Sequence, residues 1–123
     1  MYEGLLAPEV RNFVLKHIDT VAQLEALLFL RARPAERLEA QAIAKALYAS
    51  LDEMNAALEG LHGCGLLVRD GDRYGYNQSS PDSGLVEAVA TAYARHLIPI
   101  TNLIHSKPRN IRAFSDAFKF RKD

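Results

Sequence analysis

Residues 39 to 61 alternate between apolar and polar positions with the period of two consecutive helices. In the first half of this segment, apolar side chains fall three and four residues apart and therefore share one face of a helix. These positions are Ala40, Ile43, Ala44 and Leu47. The spacing predicts a short amphipathic helix whose apolar face needs a partner.

A second helix is predicted to begin near Leu51. Ser50 precedes Glu53 by three residues, the arrangement in which side chains satisfy the free amides at the start of a helix. The apolar positions that follow with helical spacing are Leu51, Met54, Leu58 and Leu61, whereas Asp52, Glu53, Asn55 and Glu59 face elsewhere. Gly63 and Gly65 supply the backbone freedom that ends such a helix.

Two short strands joined by a turn are predicted next. Residues 66 to 68, Leu-Leu-Val, form a β-prone run, and residues 70 to 72, Asp-Gly-Asp, are typical of a turn. Tyr74 and Tyr76 then alternate as residues on a returning strand do. The pattern from residue 39 to 76 therefore reads as helix, turn, helix and hairpin.

Further helices are predicted on both sides of this segment. Pro8 suits the first turn of a helix over residues 8 to 18, and Thr20 with Gln23 forms a capping pair for a helix that runs to about Ala32. Residues 80 to 82, Ser-Pro-Asp, favour another helix start. The apolar stripe on that helix comprises Val86, Val89, Ala90, Tyr93 and Leu97, and Pro99 should end or kink it.

The order of elements over residues 39 to 76 resembles that of the winged helix-turn-helix superfamily. The usual family pattern is a first helix rich in small residues, a serine near the start of the second, then Leu-x-x-Leu followed by Gly-Leu-Leu. The matching positions in this chain are Ile43, Ala44, Leu47, Ser50, Leu58, Leu61, Gly65, Leu66 and Leu67. The match covers roughly a third of the chain, and such a pattern is a hypothesis about fold.

The resemblance implies a mainly α fold with a small β-hairpin wing, a winged helix-turn-helix with additional N- and C-terminal helices. The helix-turn-helix would span about residues 39 to 63 and the wing about 66 to 76. The whole domain would cover residues 1 to 105, followed by a basic aromatic tail over 106 to 123. In related small regulators, outer helices often form a homodimer interface. The 8–18 and 81–98 helices suit that role or, equally, packing on their own domain.

Composition and length place the chain among ordinary soluble domains. At 123 residues it has the size of one domain, and 49% hydrophobic with 24% charged residues is typical of a globular protein. No apolar run is long enough to cross a bilayer, and the start of the chain lacks the features of a secretory signal. We therefore expect a cytoplasmic location and no membrane partner.

No constellation of side chains indicates catalysis or metal binding. The histidines His17, His62, His96 and His105 are scattered, and none pairs with another at the spacing of two ligands on one helical face. Cys64 is the only cysteine, so we interpret it as a packed residue where helix meets strand, with a redox-sensing thiol as the alternative. A protein without enzymatic activity, cofactor or metal is expected.

The net charge of zero conceals an uneven distribution. Residues 39 to 76 carry three basic against six acidic side chains, a net charge of −3, whereas residues 105 to 123 carry six basic against two acidic, a net charge of +4. Ile111, Phe114 and Phe118 have helical spacing within the tail. The alternatives for it are binding to nucleic acid phosphates or to an acidic partner groove, and docking on its own domain or on a sister subunit; an anionic membrane is disfavoured because the apolar stripe is short. The candidate contacts in the tail are Lys107, Arg109, Arg112, Lys119, Arg121 and Lys122.

In the winged architecture, the second helix of the motif enters the major groove of DNA and the wing lies along the minor groove. Asn55 and His62 are then candidate base readers, and Ser50, Tyr48 and Gln41 can touch the backbone. Arg69 and Arg73 on the wing are the best phosphate contacts, with Lys45 as a further candidate.

The sequence leaves two hypotheses of function. The first, implied by the resemblance, is a transcriptional regulator that binds double-stranded DNA, as a homodimer. The helix from Leu51 to His62, however, has no Lys or Arg and carries Asp52, Glu53 and Glu59, which repel phosphate. The alternative is a non-catalytic protein-interaction module that presents an acidic helix and a basic tail to a protein partner.

Overall fold

Residues 6 to 106 are described by a computed structural model, and they form a mainly helical fold with a small antiparallel sheet. The helices are α1 (Pro8–His17), α2 (Val21–Arg31), α3 (Ala40–Leu47), α4 (Leu51–Gly63), α5 (Ser83–Arg95) and α6 (Leu97–His105), and the strands are β1 (Leu38–Glu39), β2 (Leu67–Asp70) and β3 (Arg73–Tyr76). The mainly α class with a hairpin is thereby confirmed. The candidate tail contacts from Lys107 to Lys122 lie outside the described residues.

The starts of α1 and α2 follow the signals in the sequence, whereas α5 begins at Ser83 without a side-chain cap from the predicted Ser-Pro-Asp start. Pro8 lies in the first turn of α1, and the Thr20 hydroxyl accepts a hydrogen bond of 3.0 Å from the amide of Gln23 at the start of α2. The helix predicted over residues 81 to 98 ends earlier, at Arg95, and Pro99 lies in the first turn of the next helix, α6, which begins at Leu97. Within residues 6 to 106, no helix is both long and apolar enough to span a membrane.

The sheet has three strands in the order β1, β3, β2. The predicted hairpin is confirmed: β2 and β3 pair antiparallel with Asp70 opposite Arg73, so only Gly71 and Asp72 turn the chain. Gly71 has a φ of 66°, a conformation that glycine adopts at no steric cost. The sequence pattern missed β1, which has only two residues and pairs Leu38 with Tyr74.

One cluster of buried apolar side chains extends from Leu6 to Ile104 and unites the helices with the sheet. Its fully buried members include Val14, Ile18, Leu24, Leu27, Leu30, Ile43, Met54, Leu58, Leu61, Leu66, Ile100 and Ile104. Helix α4 packs against α2, α3 and β2, and α2 also contacts β3. Burial of these apolar faces is the main term that stabilises the arrangement.

Helices α1, α5 and α6 pack on one another and on the same cluster. The apolar faces of α1 and α5, which the sequence assigned either to a dimer interface or to this chain's own core, are buried within the chain. Leu97 differs from the predicted stripe, because it opens the new helix α6 and is 49% exposed. The neighbouring Ile98 is 56% exposed.

Two polar contacts connect α2 with α5 at the edge of the core. Arg31 donates from Nε and Nη2 to the two carboxylate oxygens of Glu87 at 2.8 and 2.6 Å, and these bonds lower the pKa of Glu87. The Tyr93 hydroxyl donates to Glu25 Oε2 at 3.0 Å. Burial and this hydrogen bond raise the pKa of Tyr93 to about 12.

A buried glutamine joins α2 to α4. Gln23 is 3% exposed; its Oε1 accepts from the amide of Asp19 at 2.6 Å, and its Nε2 donates to the carbonyl of Ala57 in α4 at 3.1 Å. Gly60 makes room for this amide, because a Cβ on Gly60 would lie 2.7 Å from Gln23 Nε2. A side chain at residue 60 would therefore force the Gln23 amide away from its present position.

We predict that Gly60→Ala lowers the free energy of unfolding. Alanine is favoured over glycine in a helix by about 1 kcal/mol, but the new methyl group displaces the buried Gln23 amide, at a cost of about 1–3 kcal/mol. Chemical denaturation of the purified protein measures the net effect. The matched control is Gly63→Ala in the same helix, where the added Cβ has nothing within 4 Å and no loss of stability is expected.

A double-mutant cycle separates the clash from other effects of the substitution. In a Gln23→Ala background the amide is absent, so Gly60→Ala should become neutral or stabilising. Equal destabilisation by Gly60→Ala in both backgrounds would show that the two residues do not interact.

A second prediction concerns the alkaline limit of stability. In the unfolded chain Tyr93 ionises near pH 10, as an unperturbed tyrosine does. In the folded protein its pKa is about 12, so the hydroxyl keeps its proton to a higher pH. The stability contributed by protonated Tyr93 is therefore complete below about pH 10 and lost as the pH rises toward about 12. Tyr93→Phe should flatten this decline in denaturation curves measured across that range. Parallel declines in the variant and the parent protein would contradict the assignment.

Candidate functional site

The connection between α3 and α4 is a tight corner with an exposed aromatic residue. Tyr48 follows α3 in the left-handed conformation, with φ 58° and ψ 39°, and the amide of Ala49 donates to the carbonyl of Ala44 at 2.9 Å. Ser50 then caps α4, since its hydroxyl accepts from the amide of Glu53 at 3.1 Å. This corner determines where the first turn of α4 begins.

Helix α4 has a buried face and an exposed polar face. Met54, Leu58 and Leu61 are fully buried, as the pattern predicted. Leu51 differs from that prediction: it lies at the first position of the helix and is 46% exposed. The exposed face carries Asp52, Glu53, Asn55, Ala56, Glu59 and His62.

An open groove lies between the start of α3, the exposed face of α4 and the hairpin. Its cavity volume is about 350 Å³. The lining residues are Glu39, Ala40, Gln41, Leu51, Asn55, Glu59, Arg69, Asp72 and Tyr74, and we call this surface the α4 groove. Three of the predicted site residues, Gln41, Asn55 and Arg69, are thus brought together from three different elements.

Arg69 is positioned by the hairpin itself. Its Nε donates to the carbonyl of Gly71 at 2.8 Å, and its guanidinium carbon lies 5.4 Å from the centroid of the Tyr74 ring. The Tyr74 ring also meets His62 edge to face, with centroids 6.3 Å apart. Since Tyr74 is only 5% exposed, it forms a fixed platform beneath an exposed arginine.

The α4 groove is acidic despite the arginine. Glu39, Glu59 and Asp72 contribute three carboxylates against the single guanidinium of Arg69. Arg73 pairs only loosely with Glu39, at 3.9 Å, and both side chains are about half exposed, 57% and 50%. An exposed pair at this distance contributes little to stability, so Arg73 is free to exchange Glu39 for another anion.

The remaining predicted residues do not line the α4 groove. Lys45, Tyr48, Ser50, Arg73 and His62 are exposed, on α3, the corner, the hairpin and the end of α4. The Ser50 oxygen is already engaged in capping α4, and its hydroxyl proton remains available to a ligand.

Sequence reasoning missed Glu39, Asp72 and Tyr74 as groove residues. Glu39 belongs to the two-residue strand β1, which is too short to produce an alternating pattern. Tyr74 follows the alternation of a strand, but the pattern does not show that His62 and Arg69 flank its ring. The turn sequence did indicate Asp72 as a residue of the hairpin tip.

Cys64 has the environment of a packing residue. It is half-buried at the end of α4, and its thiol donates to the carbonyl of Leu61 at 3.4 Å. Burial raises the pKa of this thiol, which disfavours the reactive thiolate. Among residues 6 to 106, no group of three or more His, Cys, Asp or Glu side chains is arranged to hold a metal ion.

Comparisons with protein-family models, with curated proteins and with solved structures find no match to this chain.

We predict that the Ser50 cap stabilises α4 measurably. Ser50→Ala removes the acceptor for the Glu53 amide, which typically costs about 1 kcal/mol. In thermal unfolding this corresponds to a decrease in Tm of about 3–6 °C for a chain of 123 residues. Ser79→Ala is the matched control, because Ser79 is exposed and its hydroxyl forms no hydrogen bond within the described residues. Equal Tm values for the two variants would show that the cap is not needed.

Proposed function

We propose that this chain is a DNA-binding transcriptional regulator of the winged helix-turn-helix type. The observation that carries the proposal is the convergence of Gln41, Asn55 and Arg69, from two helices and a hairpin, on the surface beside α4. Helix α4 is held by its apolar face and offers its polar face outward, as a helix that enters the major groove must.

Each side chain has a distinct role in this proposal. Asn55 lies in the middle of the exposed face of α4, and its amide can pair with the edge of adenine through two hydrogen bonds. Arg69 and Arg73 lie on the hairpin and contact phosphates on either side of the minor groove. Lys45 and Gln41 on α3 contact the backbone that flanks the major groove. His62 lies at the far end of α4, where it meets an additional base.

The acidic residues of α4 limit how this complex can form. Asp52 and Glu59, seven residues apart, place negative charge on the face that carries Asn55, and each would oppose a phosphate at close range; Glu53 points toward α2 instead. A carboxylate can instead accept a hydrogen bond from cytosine, so Glu59 is compatible with a base contact. The positive charge needed for affinity must then come from the hairpin, and from the tails of two chains in a homodimer.

The proposal predicts salt-dependent binding to duplex DNA through the hairpin arginines. Affinity for a labelled mixed-sequence duplex should fall steeply as the salt concentration rises, because phosphate contacts release counterions. Arg69→Ala and Arg73→Ala should each weaken binding and reduce the slope of log K against log salt by about 1. Fluorescence anisotropy over a salt series measures both quantities.

Arg95→Ala provides a matched control for that experiment. Arg95 is an exposed arginine in the last turn of α5, outside the α4 groove, so its removal should leave the slope unchanged. If the parent protein does not bind duplex DNA at low salt, the proposal fails. If binding survives both hairpin substitutions and vanishes when residues 107 to 123 are deleted, the tail carries the contact.

The acidity of the α4 groove favours a second candidate function, a protein-interaction module without DNA binding. Three carboxylates and one guanidinium line a cavity of about 350 Å³, and only Glu39 among the carboxylates has a loose partner outside it, Arg73 at 3.9 Å. This excess of negative charge suits a cationic segment of a partner better than a phosphodiester chain. In that case the parent protein would show no retention on duplex DNA or heparin. Glu59→Gln would weaken capture of the partner, whereas a DNA-binding protein would gain affinity from the same change.

A further inference from the structure

Tyr48 combines a strained backbone with a fully exposed side chain. It is the one non-glycine residue with a positive φ among residues 6 to 106, and its side chain is 98% exposed. The left-handed conformation is costly for residues that carry a Cβ, and glycine is the usual residue at the end of a helix in this geometry. The chain therefore carries a destabilising residue at the corner between α3 and α4.

Nothing within the described part of the molecule compensates for this cost through the Tyr48 side chain. The hydroxyl forms no hydrogen bond and the ring contacts no other ring within residues 6 to 106. The turn itself is closed by backbone groups, with Ala49 donating to Ala44, and these bonds would form equally well with glycine at residue 48. An outlier of this kind points to a role outside the folded chain.

The position of Tyr48 relates it to the start of α4. It lies two residues before the Ser50 cap, and the first turn that follows carries Asp52 and Glu53. A phenol is an uncharged donor, and tyrosine is among the side chains that contact phosphate oxygens.

We infer that Tyr48 donates a hydrogen bond from its hydroxyl to a phosphate of bound DNA, and that its backbone strain is retained for this contact. The inference rests on the proposed function. Because a neutral donor displaces no counterion, the contact adds affinity without adding to the salt dependence. Tyr48 thereby differs in kind from Arg69 and Arg73, whose contribution weakens as salt increases.

Three variants test the inference by stability and binding together. Tyr48→Gly relieves the strain, so its Tm should rise by about 2–5 °C while its affinity for a labelled mixed-sequence duplex falls about tenfold. Tyr48→Phe keeps the ring and the strain but removes the donor, so its Tm should be unchanged and its affinity should also fall about tenfold. Tyr93→Phe, which removes a hydroxyl that bonds Glu25 between α2 and α5, should leave the affinity unchanged.

The salt series distinguishes the proposed contact from other roles. The slope of log K against log salt should be the same for Tyr48→Phe as for the parent protein, whereas Arg69→Ala reduces it. A changed slope in Tyr48→Phe, or parental affinity in that variant, would overturn the hydroxyl contact. A Tm for Tyr48→Gly at or below that of the parent would overturn the argument from strain.

The two proposals fail in different ways. If the parent protein binds duplex DNA but both Tyr48 variants bind equally well, the role of Tyr48 is wrong and the proposed function stands. If the parent protein does not bind DNA at any salt concentration, both the proposed function and the phosphate contact of Tyr48 are wrong.

Discussion

The contact between α2 and α4 through the buried Gln23 amide determines how the candidate site is presented. Because this amide bonds the carbonyl of Ala57 and lies where a Cβ of Gly60 would otherwise be, the distance between the two helices is fixed by polar geometry as well as by apolar packing. The inner face of α4 is thereby buried in the core. Its outer face is left beside the hairpin, and the α4 groove exists only in that orientation.

The charges of the α4 groove restrict its partners more than its shape does. The proposed DNA complex needs a helix beside a hairpin, which this fold has, but Glu39, Glu59 and Asp72 line the same groove as Arg69 and give it a negative potential. Arg69 is held toward Tyr74 and Gly71 by its own contacts, whereas Arg73 is only loosely paired. A phosphate chain would therefore find cations at the hairpin and not along α4. A cationic peptide would instead be attracted by the carboxylates of Glu39, Glu59 and Asp72.

Local signals explain which parts of this fold could be predicted from the sequence. The caps at Thr20 and Ser50 and the glycine in the hairpin turn act between residues close in sequence, so the helices and the hairpin were predictable. Strand β1 was not, because two residues carry no period and their pairing with β3 is a tertiary event. The α4 groove was only partly predictable: Gln41, Asn55 and Arg69 were identified as polar and exposed. The placement of Glu39 and Tyr74 beside them depends on that same pairing.

The first turn of α4 makes opposite demands on stability and on binding. Asp52 and Glu53 lie near the positive end of the helix dipole, where each carboxylate stabilises the helix by about 0.3–1 kcal/mol. The same charges repel an anion from a helix start that would otherwise attract one. Under the proposed function, contacts to phosphate at this end would come from uncharged donors, and the corner supplies two hydroxyls, of Tyr48 and Ser50. If the partner is DNA, its affinity must come from the hairpin and from these neutral groups, because the acidic helix can contribute base contacts but no attraction.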